Sequence, residues 1–169
     1  MEKLRPKDKE RLSSKEWRVE HFYKIKDKNK RLVVFQKNKA QRDFEKNKHS
    51  RNIILKSRQL GFTTLEAIDM LDDTLFQRNQ DSLFIAQDLE TAKDIFDNKI
   101  KLAWDNFALN NRYESDLNSA RRLKVGFGDK TSSSIAVDNS GRAGTFHRLH
   151  ITEFARLCKM FPDKAREVL

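Results

Sequence analysis

A glycine and two threonines follow a short apolar run at the spacing of a phosphate-binding loop. The apolar run spans Ile53 to Leu55, and the polar turn after it leads to Gly61, Thr63 and Thr64. A loop of this kind faces an anion with its backbone N–H groups, and the following helix adds its positive N-terminal end. The chemistry that these residues predict is the binding of a nucleotide through its phosphates.

The loop matches only two of the four fixed positions of the usual pattern, G-x-x-x-x-G-K-[ST]. Gly61 and Thr63 supply the glycine and the hydroxyl, but Lys56 stands at the first glycine and Phe62 at the lysine. The loop alone therefore leaves two interpretations open. One is a nucleotide-binding loop, and the other is an ordinary strand-to-helix turn in which Gly61 adopts a tight conformation.

A second apolar run ends in a carboxylate that suits the same chemistry. Leu149 to Thr152 is followed by Glu153. In the usual arrangement an Asp at this point holds magnesium through water, and a following Glu polarises the attacking water. Thr152 replaces the Asp, so more of the magnesium affinity must come from Thr63 and the nucleotide. Alone, such a carboxylate is more often a surface or capping group, but beside the loop we predict Glu153 as general base.

The elements that must position these residues alternate along the chain as in an α/β sheet. After residue 52, apolar runs of strand length alternate with longer segments of helical periodicity. We predict strands at residues 52–56, 82–86, 122–127, 133–137 and 148–152, and helices at residues 63–77, 88–107 and from Pro162 onward. In front of the loop we predict helices at residues 13–26 and 38–48.

The excess positive charge lies entirely in front of the loop. Of the net charge of +10, residues 1–51 account for all, with 18 Lys and Arg against 8 Asp and Glu, while residues 52–169 have 17 of each. A basic segment on a neutral domain indicates salt-dependent contact with a polyanion such as DNA or RNA. The alternative is a solvated leader whose charge serves solubility alone.

Composition excludes several classes of protein. A length of 169 residues suits about one domain. The single cysteine, Cys158, excludes an internal disulfide and indicates a reducing, intracellular compartment. No apolar run approaches the length of a membrane span, and the first residues lack the apolar core of a signal peptide. We therefore expect a cytosolic protein.

Three segments together resemble the ATPase domain of the large terminase subunit of tailed bacteriophages and prophages. They are residues 54–64, 140–145 and 149–155, and the resemblance extends from about Phe35 to Leu169. Its most specific part is the Arg-Gln-x-Gly-x-Thr-Thr form of the loop, with Thr-Glu closing the second strand. The resemblance implies an ATPase that uses ATP and Mg²⁺ to move double-stranded DNA into a viral procapsid.

The resemblance also implies an architecture and a setting. It implies a three-layer P-loop NTPase core of the ASCE or RecA-like type over residues 35–169, with a mainly parallel sheet that is incomplete at the C-terminus. A basic helical extension over residues 1–34 would precede it. Implied partners are a portal protein, a small terminase subunit and further copies in a ring, in the cytoplasm of a bacterial host and without a membrane. Nuclease activity is not expected, because a nuclease domain would follow this part of the chain.

Individual residues receive roles from the resemblance. Some family members lack the lysine after the glycine and have a basic residue where the loop begins, so Lys56 would be the displaced lysine. Gln41 would contact the adenine edge through its amide, with a helix-surface glutamine as the alternative. Arg142 would be an arginine finger, with a solvated loop arginine as the alternative. The predicted sets are Gln41, Lys56, Ser57, Arg58, Gln59, Leu60, Gly61, Phe62, Thr63 and Thr64 for the nucleotide; Glu153 and Arg142 for catalysis; Thr63 and Thr152 for magnesium, the latter through water; and basic residues within 1–51 for DNA.

Two other functions share these features. A helicase-like or restriction-type DNA translocase would also combine an upstream glutamine, a phosphate loop and an acidic second motif. A non-catalytic nucleic-acid-binding or assembly fragment would keep the loop as structure without binding ATP, and the two replaced loop positions favour it.

Overall fold

Helices cover both faces of a five-stranded sheet in the computed structural model, which describes residues 6–57, 59–119, 121–140 and 145–167. Two further short strands form a separate hairpin. In chain order the elements are α1 (Pro6–Ser13), α2 (Lys15–His21), β1 (Lys24–Lys26), β2 (Leu32–Val34), α3 (Lys39–Lys46), α4 (Phe62–Phe76), β3 (Asp81–Ile85), α5 (Leu89–Ile95), a π-helical segment (Phe96–Lys101), α6 (Leu102–Asp105), a 3₁₀ turn (Asn110–Arg112), β4 (Glu114–Ser119), β5 (Arg122–Gly126), β6 (Ser132–Asp138), β7 (Arg148–Ile151), α7 (Phe154–Met160) and α8 (Pro162–Glu167).

The α/β class is as expected, but the sheet is mixed, which corrects the predicted mainly parallel arrangement. Its strand order is β4-β5-β6-β3-β7. β3 is parallel to both β6 and β7, whereas β4, β5 and β6 pair antiparallel. The physical reason is the short connection between β5 and β6, which includes Gly128 at φ 76°. A turn of this length can join only antiparallel neighbours.

Residues 52–56 do not form the predicted strand. This segment has no regular secondary structure, and the side chains of Ile53 and Leu55 are fully exposed. Ile54 alone packs against the core. Within the described residues the segment pairs with no strand, although β7 at the end of the sheet has a neighbour on one side only. An apolar run therefore indicated an extended chain here but not its partner.

The N-terminal region is more broken than the predicted helix at residues 13–26. The Ser14 side chain accepts a hydrogen bond from the Trp17 N–H at 3.3 Å, which begins α2 anew after α1. α2 ends at His21, and Ile25 lies in the β1–β2 hairpin. The prediction did not include α1, the β1–β2 hairpin, β4 or α7. The predicted helices at residues 38–48 and 63–77 are confirmed as α3 and α4, and the one at residues 88–107 as α5, the π-helical segment and α6.

Two apolar clusters hold the layers together. On one face of the sheet, Phe84 of β3 packs in the main core that contains most of α4 and α5. On the other face, Leu83 and Ile85 pack against Leu157 of α7 and Ala165 of α8. β3 is therefore buried on both faces, as is typical of a strand with parallel neighbours. None of the helices in the described ranges is long and apolar enough to cross a membrane.

Candidate functional site

The first turn of α4 and the end of β7 lie at the same edge of the sheet. β3 follows α4 after a short connection, so α4 runs back across the sheet. Arg148, the first residue of β7, bonds Asp73 near the C-terminal end of α4. Because β7 is parallel to β3, its last residues reach the edge where α4 begins at Gly61. In open α/β sheets this carboxyl edge is where ligands bind.

The loop presents backbone N–H groups without a side-chain cap. Gly61 is the N-cap of α4, at φ 72° in the left-handed region, and no side chain caps the helix there. Gln59 also has a positive φ, 65°. The first N–H groups of a helix have no partner inside the helix, and together with the helix dipole they favour an anion.

Gln41 and Asn38 of the neighbouring helix hold the loop from one side. The Gln41 Nε2 donates to the Gly61 carbonyl at 2.9 Å and to the Leu60 carbonyl at 3.4 Å. The Asn38 Nδ2 donates to the same Leu60 carbonyl at 3.1 Å. Gln41 is only 3% exposed, so it is not the helix-surface glutamine that was the alternative to the adenine contact.

Phe62 has a packing role that explains why it replaces the usual lysine. Its side chain is 6% exposed. It meets Phe44 of α3 edge to face, with ring centroids 5.4 Å apart. Such aromatic pairs contribute about 0.5–1.5 kcal/mol beyond their buried area. Phe62 therefore fixes the first turn of α4 against α3, and a phosphate-binding cation has to come from elsewhere.

Two lysines lie at the loop, Lys56 at its beginning and Lys99 from another part of the chain. Lys56 is exposed, and its charge is one of those that lower the pKa of His150 on β7. Lys99 donates from Nζ to the Thr64 Oγ1 at 3.2 Å. Burial lowers the pKa of Lys99 below its ordinary value, and the nearby charge of Asp94 offsets only part of that lowering. Among the described residues, no carboxylate forms an ion pair with Lys99.

Lys99 is the residue of this site that sequence reasoning missed. It lies on the π-helical segment (Phe96–Lys101), 35 positions after its partner Thr64. Short π-helical segments occur often at functional sites. From the sequence, Lys99 is one of several lysines between apolar helix positions, and no local signal separates it from the others.

The predicted residues Thr152 and Glu153 follow directly after β7 and differ in burial. Thr152 is buried, and its N–H donates to the Ile85 carbonyl at 2.9 Å, which ties it to β3. Glu153 is exposed, with φ 53° and ψ 42° in the left-handed region, and its side chain makes no capping bond to α7. Burial lowers the pKa of His150 to about 4, so that ring is neutral at pH 7.

The other residues predicted to bind the nucleotide differ in their exposure to solvent. Ser57 and Gln59 are exposed, whereas Leu60, Thr63 and Thr64 are partly buried. Gln87, which follows β3 at the same edge, has its Oε1 atom buried without a hydrogen-bond partner in the described residues. Arg58 and Arg142 lie outside the described residues, so their predicted roles stay predictions.

These groups are of a chemical type that can bind phosphate. Lys56, Lys99 and the uncapped N–H groups are all donors that phosphate oxygens accept from. Within the described ranges, no group of three or more His, Cys, Asp or Glu side chains is placed to hold a metal ion. A magnesium ion would therefore take most of its ligands from phosphates and water, with the Thr63 hydroxyl as a contribution from the protein.

Fold and site together define an α/β protein in which a helix terminus without a side-chain cap lies at the carboxyl edge of a mixed sheet. No protein-family model matches the chain, and no curated protein matches it. Among solved structures, the chain is similar to the ATPase domain of the large terminase of Thermus phage P74-26, with 17% identity and a TM-score of 0.49. The alignment covers 66% of this chain and 52% of that one, so this chain spans about half of that domain's length. The residues of the site itself carry the functional proposal.

Proposed function

We propose that this chain binds ATP at residues 56–64 and hydrolyses it. The observation that carries the proposal is the uncapped N-terminus of α4, which has Lys99 bonded to its Thr64 hydroxyl and the Thr152–Glu153 end of β7 at the same sheet edge. A helix terminus with a lysine that has no ion-pair partner among the described residues favours a polyanionic ligand.

Each residue of the site then has a distinct task. The first-turn N–H groups, Lys56 and Lys99 hold the phosphates. Thr63 contributes a hydroxyl to magnesium, and Thr152 bonds the ion through water. When bound, the ion neutralises part of the charge that develops during phosphoryl transfer. The Glu153 carboxylate, free of capping bonds, accepts a proton from the attacking water.

The process that this hydrolysis serves is proposed from the sequence. The loop, the segment at residues 140–145 and the Thr152–Glu153 strand end resemble the motor domain of a terminase large subunit. The chain would then couple hydrolysis to the movement of double-stranded DNA into a procapsid, in a ring of copies with a portal protein and a small subunit. The second candidate function is a non-catalytic nucleic-acid-binding fragment. Phe62 favours it, because this buried side chain occupies the position of the usual phosphate-binding lysine.

The β1–β2 hairpin presents one group of exposed lysines in the basic region. Several basic residues in front of the loop are paired with carboxylates, among them Lys15, Arg18, Lys37, Arg42 and Lys48. In contrast, Lys24, Lys28 and Lys30 are exposed and form no ion pair with the described residues. We therefore propose that these three lysines contact the phosphate backbone of DNA.

Replacing Lys24, Lys28 and Lys30 together by Gln is expected to weaken duplex DNA binding and flatten its salt dependence. Each lost phosphate contact removes about 0.9 from the slope of log affinity against log salt, so the slope should fall by about 2–3. Fluorescence anisotropy of a labelled duplex at several salt concentrations measures this. The matched control replaces exposed Lys93, Lys124 and Lys159. Equal losses of DNA affinity in both triple variants would contradict a specific contact between the hairpin and DNA.

Lys99→Met is expected to weaken ATP binding by about 10–100-fold, the effect of losing one charge-assisted contact of about 1.5–3 kcal/mol. Lys56→Ala should act in the same direction but less strongly, because Lys56 is exposed and screened. Calorimetric titration of each variant with ATP and MgCl₂ gives the affinities. Lys101→Met is the control, since Lys101 pairs with Asp105 on the exposed side of the same segment. Undiminished affinity in Lys99→Met would contradict the phosphate role.

A further inference from the structure

Both polar ends of the Gln41 amide already have partners within the protein. The Oε1 atom accepts the Asn38 N–H at 2.9 Å, and the Asn38 side chain accepts the Gln41 N–H at 3.0 Å, which together form a capping box at the start of α3. The Nε2 group donates to the carbonyls of Gly61 and Leu60. Both Nε2 hydrogens are therefore in use, and the buried Oε1 already accepts a bond from within the protein, so this amide has no donor left for a nucleotide base.

The bonds from Gln41, together with the first bond of α4, fix the direction of the loop's N–H groups. The Gly61 carbonyl accepts the Leu65 N–H at 3.0 Å as well as the Gln41 side chain. A trans peptide points its C=O and N–H in opposite directions. Because the Leu60 and Gly61 carbonyls are turned toward α3, the N–H groups of Gly61 and Phe62 in the same two peptide planes are turned away from α3. These are the N–H groups that precede and begin α4, where an anion would bind.

Gly61 is the residue that allows this close approach. A Cβ atom added to Gly61 would lie 2.9 Å from the Gln41 Nε2, closer than van der Waals contact permits. Its φ of 72° also disfavours other residues. On the same side, the Phe44–Phe62 contact holds α3 against the first turn of α4. Helix α3 is thus the support against which the loop is shaped.

We propose that Gln41 is a positioning residue, which fixes the loop for the triphosphate and does not select the base. This inference rests on the proposed nucleotide site, and it differs from the adenine contact that the sequence resemblance predicts. Its consequence is that the site recognises nucleoside triphosphates through their phosphates, with Gln41 contributing equally to the binding of ATP, GTP and inorganic triphosphate.

Gln41→Glu separates the two halves of the amide. A glutamate keeps the oxygen that accepts the Asn38 N–H, so the capping box and α3 remain, but it cannot donate to the Leu60 and Gly61 carbonyls. We expect about 10–100-fold weaker binding of ATP, GTP and inorganic triphosphate alike, the loss of one to two buried donors. Asn38→Ser keeps the N-cap but loses one bond to the Leu60 carbonyl. It should reduce the affinity for all three ligands equally, and by less than Gln41→Glu does.

Hydrogen exchange of the ligand-free chain gives a second readout. In Gln41→Glu the Leu65 amide, whose N–H bonds the Gly61 carbonyl at 3.0 Å, should exchange faster, while the amides in the C-terminal half of α4 keep their protection. Unchanged exchange at Leu65, or a loss confined to ATP with GTP binding unaltered, would overturn the positioning role. Failure of the proposed function looks different: the unaltered protein would bind none of the three ligands, while the exchange response to Gln41→Glu would persist.

Discussion

Replacing Asp72 by Asn is expected to lower the free energy of unfolding by about 3–5 kcal/mol, because it leaves a buried arginine without its counter-charge. Asp72 is completely buried, and the Arg18 side chain is 7% exposed. Arg18 bonds Asp72 from Nη2 at 2.6 Å and from Nε at 3.0 Å, and the Tyr23 hydroxyl donates to the same carboxylate at 2.8 Å. Equilibrium denaturation with urea measures the loss.

Two further variants make this test specific. Asp105→Asn removes the exposed pair with Lys101 and should change stability by less than about 0.5 kcal/mol. The double replacement Arg18→Met with Asp72→Leu removes both buried charges and should recover part of the lost stability. The part that is not recovered reflects the buried Tyr23 hydroxyl, which loses its acceptor. A loss below about 1 kcal/mol for Asp72→Asn would show that this pair does not anchor α2 to α4.

The Arg18–Asp72 pair belongs to a larger set of charges on α4, which supports the site at the start of that helix. Arg148 of β7 contacts Asp69 at 2.7 Å and Glu66 at 3.0 Å. Lys15 contacts Asp69 and Asp73 at 2.7 and 2.8 Å. Burial alone would raise the pKa of Asp69, but the positive charges of Lys15, Arg148 and Lys48 outweigh burial. The pKa of Asp69 therefore lies below its ordinary value. The carboxylates of α4 thus connect α2 and β7 to the helix that bears the loop.

Glu153→Gln is expected to reduce ATP turnover by about 10²–10⁴-fold, the usual contribution of a general base, while ATP affinity stays within a few-fold. The amide keeps the size of the side chain but cannot take a proton from water. Glu153 is free of capping bonds and lies at the end of β7, so its replacement removes no structural contact among the described residues. Steady-state phosphate release and a binding titration measure the two effects separately. Unchanged hydrolysis would assign the base to another residue.

The backbone at Glu153 provides a control that separates chemistry from folding. A non-glycine residue in the left-handed region costs about 1–2 kcal/mol. Glu153→Gly should therefore raise the stability of the fold while turnover falls as in Glu153→Gln. A stabilised and inactive protein would indicate that the strained carboxylate is retained for catalysis. If Glu153→Gly kept full turnover, the strain would have no catalytic explanation.

Local patterns in the sequence were sufficient to predict the helix after the loop and the strand before Glu153. Helix periodicity and the position of Gly61 place α4 to within a residue of its observed start. The segment at residues 52–56 was predicted wrongly because an apolar run specifies an extended chain but not a pairing partner.

The rest of the site depends on contacts between residues far apart in the chain. Phe62 was only a departure from a pattern until its contact with Phe44 gave it a packing role. Lys99 bonds Thr64 across 35 positions, and Gln41 bonds Gly61 across 20. The acidic residues of α4 would be expected at a solvated face, yet Asp72 is fully buried. Periodicity does not reveal such pairings, since they depend on how separate elements pack.

The most direct test of the central claim is the heat released when ATP with MgCl₂ is titrated into the unaltered chain. We predict that each chain binds one nucleotide saturably, and that this binding is weakened by Lys99→Met and unchanged by Lys101→Met. Binding that saturates would make the uncapped α4 terminus and its lysine a nucleotide site. The absence of saturable heat at high protein concentration would contradict nucleotide binding and favour the non-catalytic fragment.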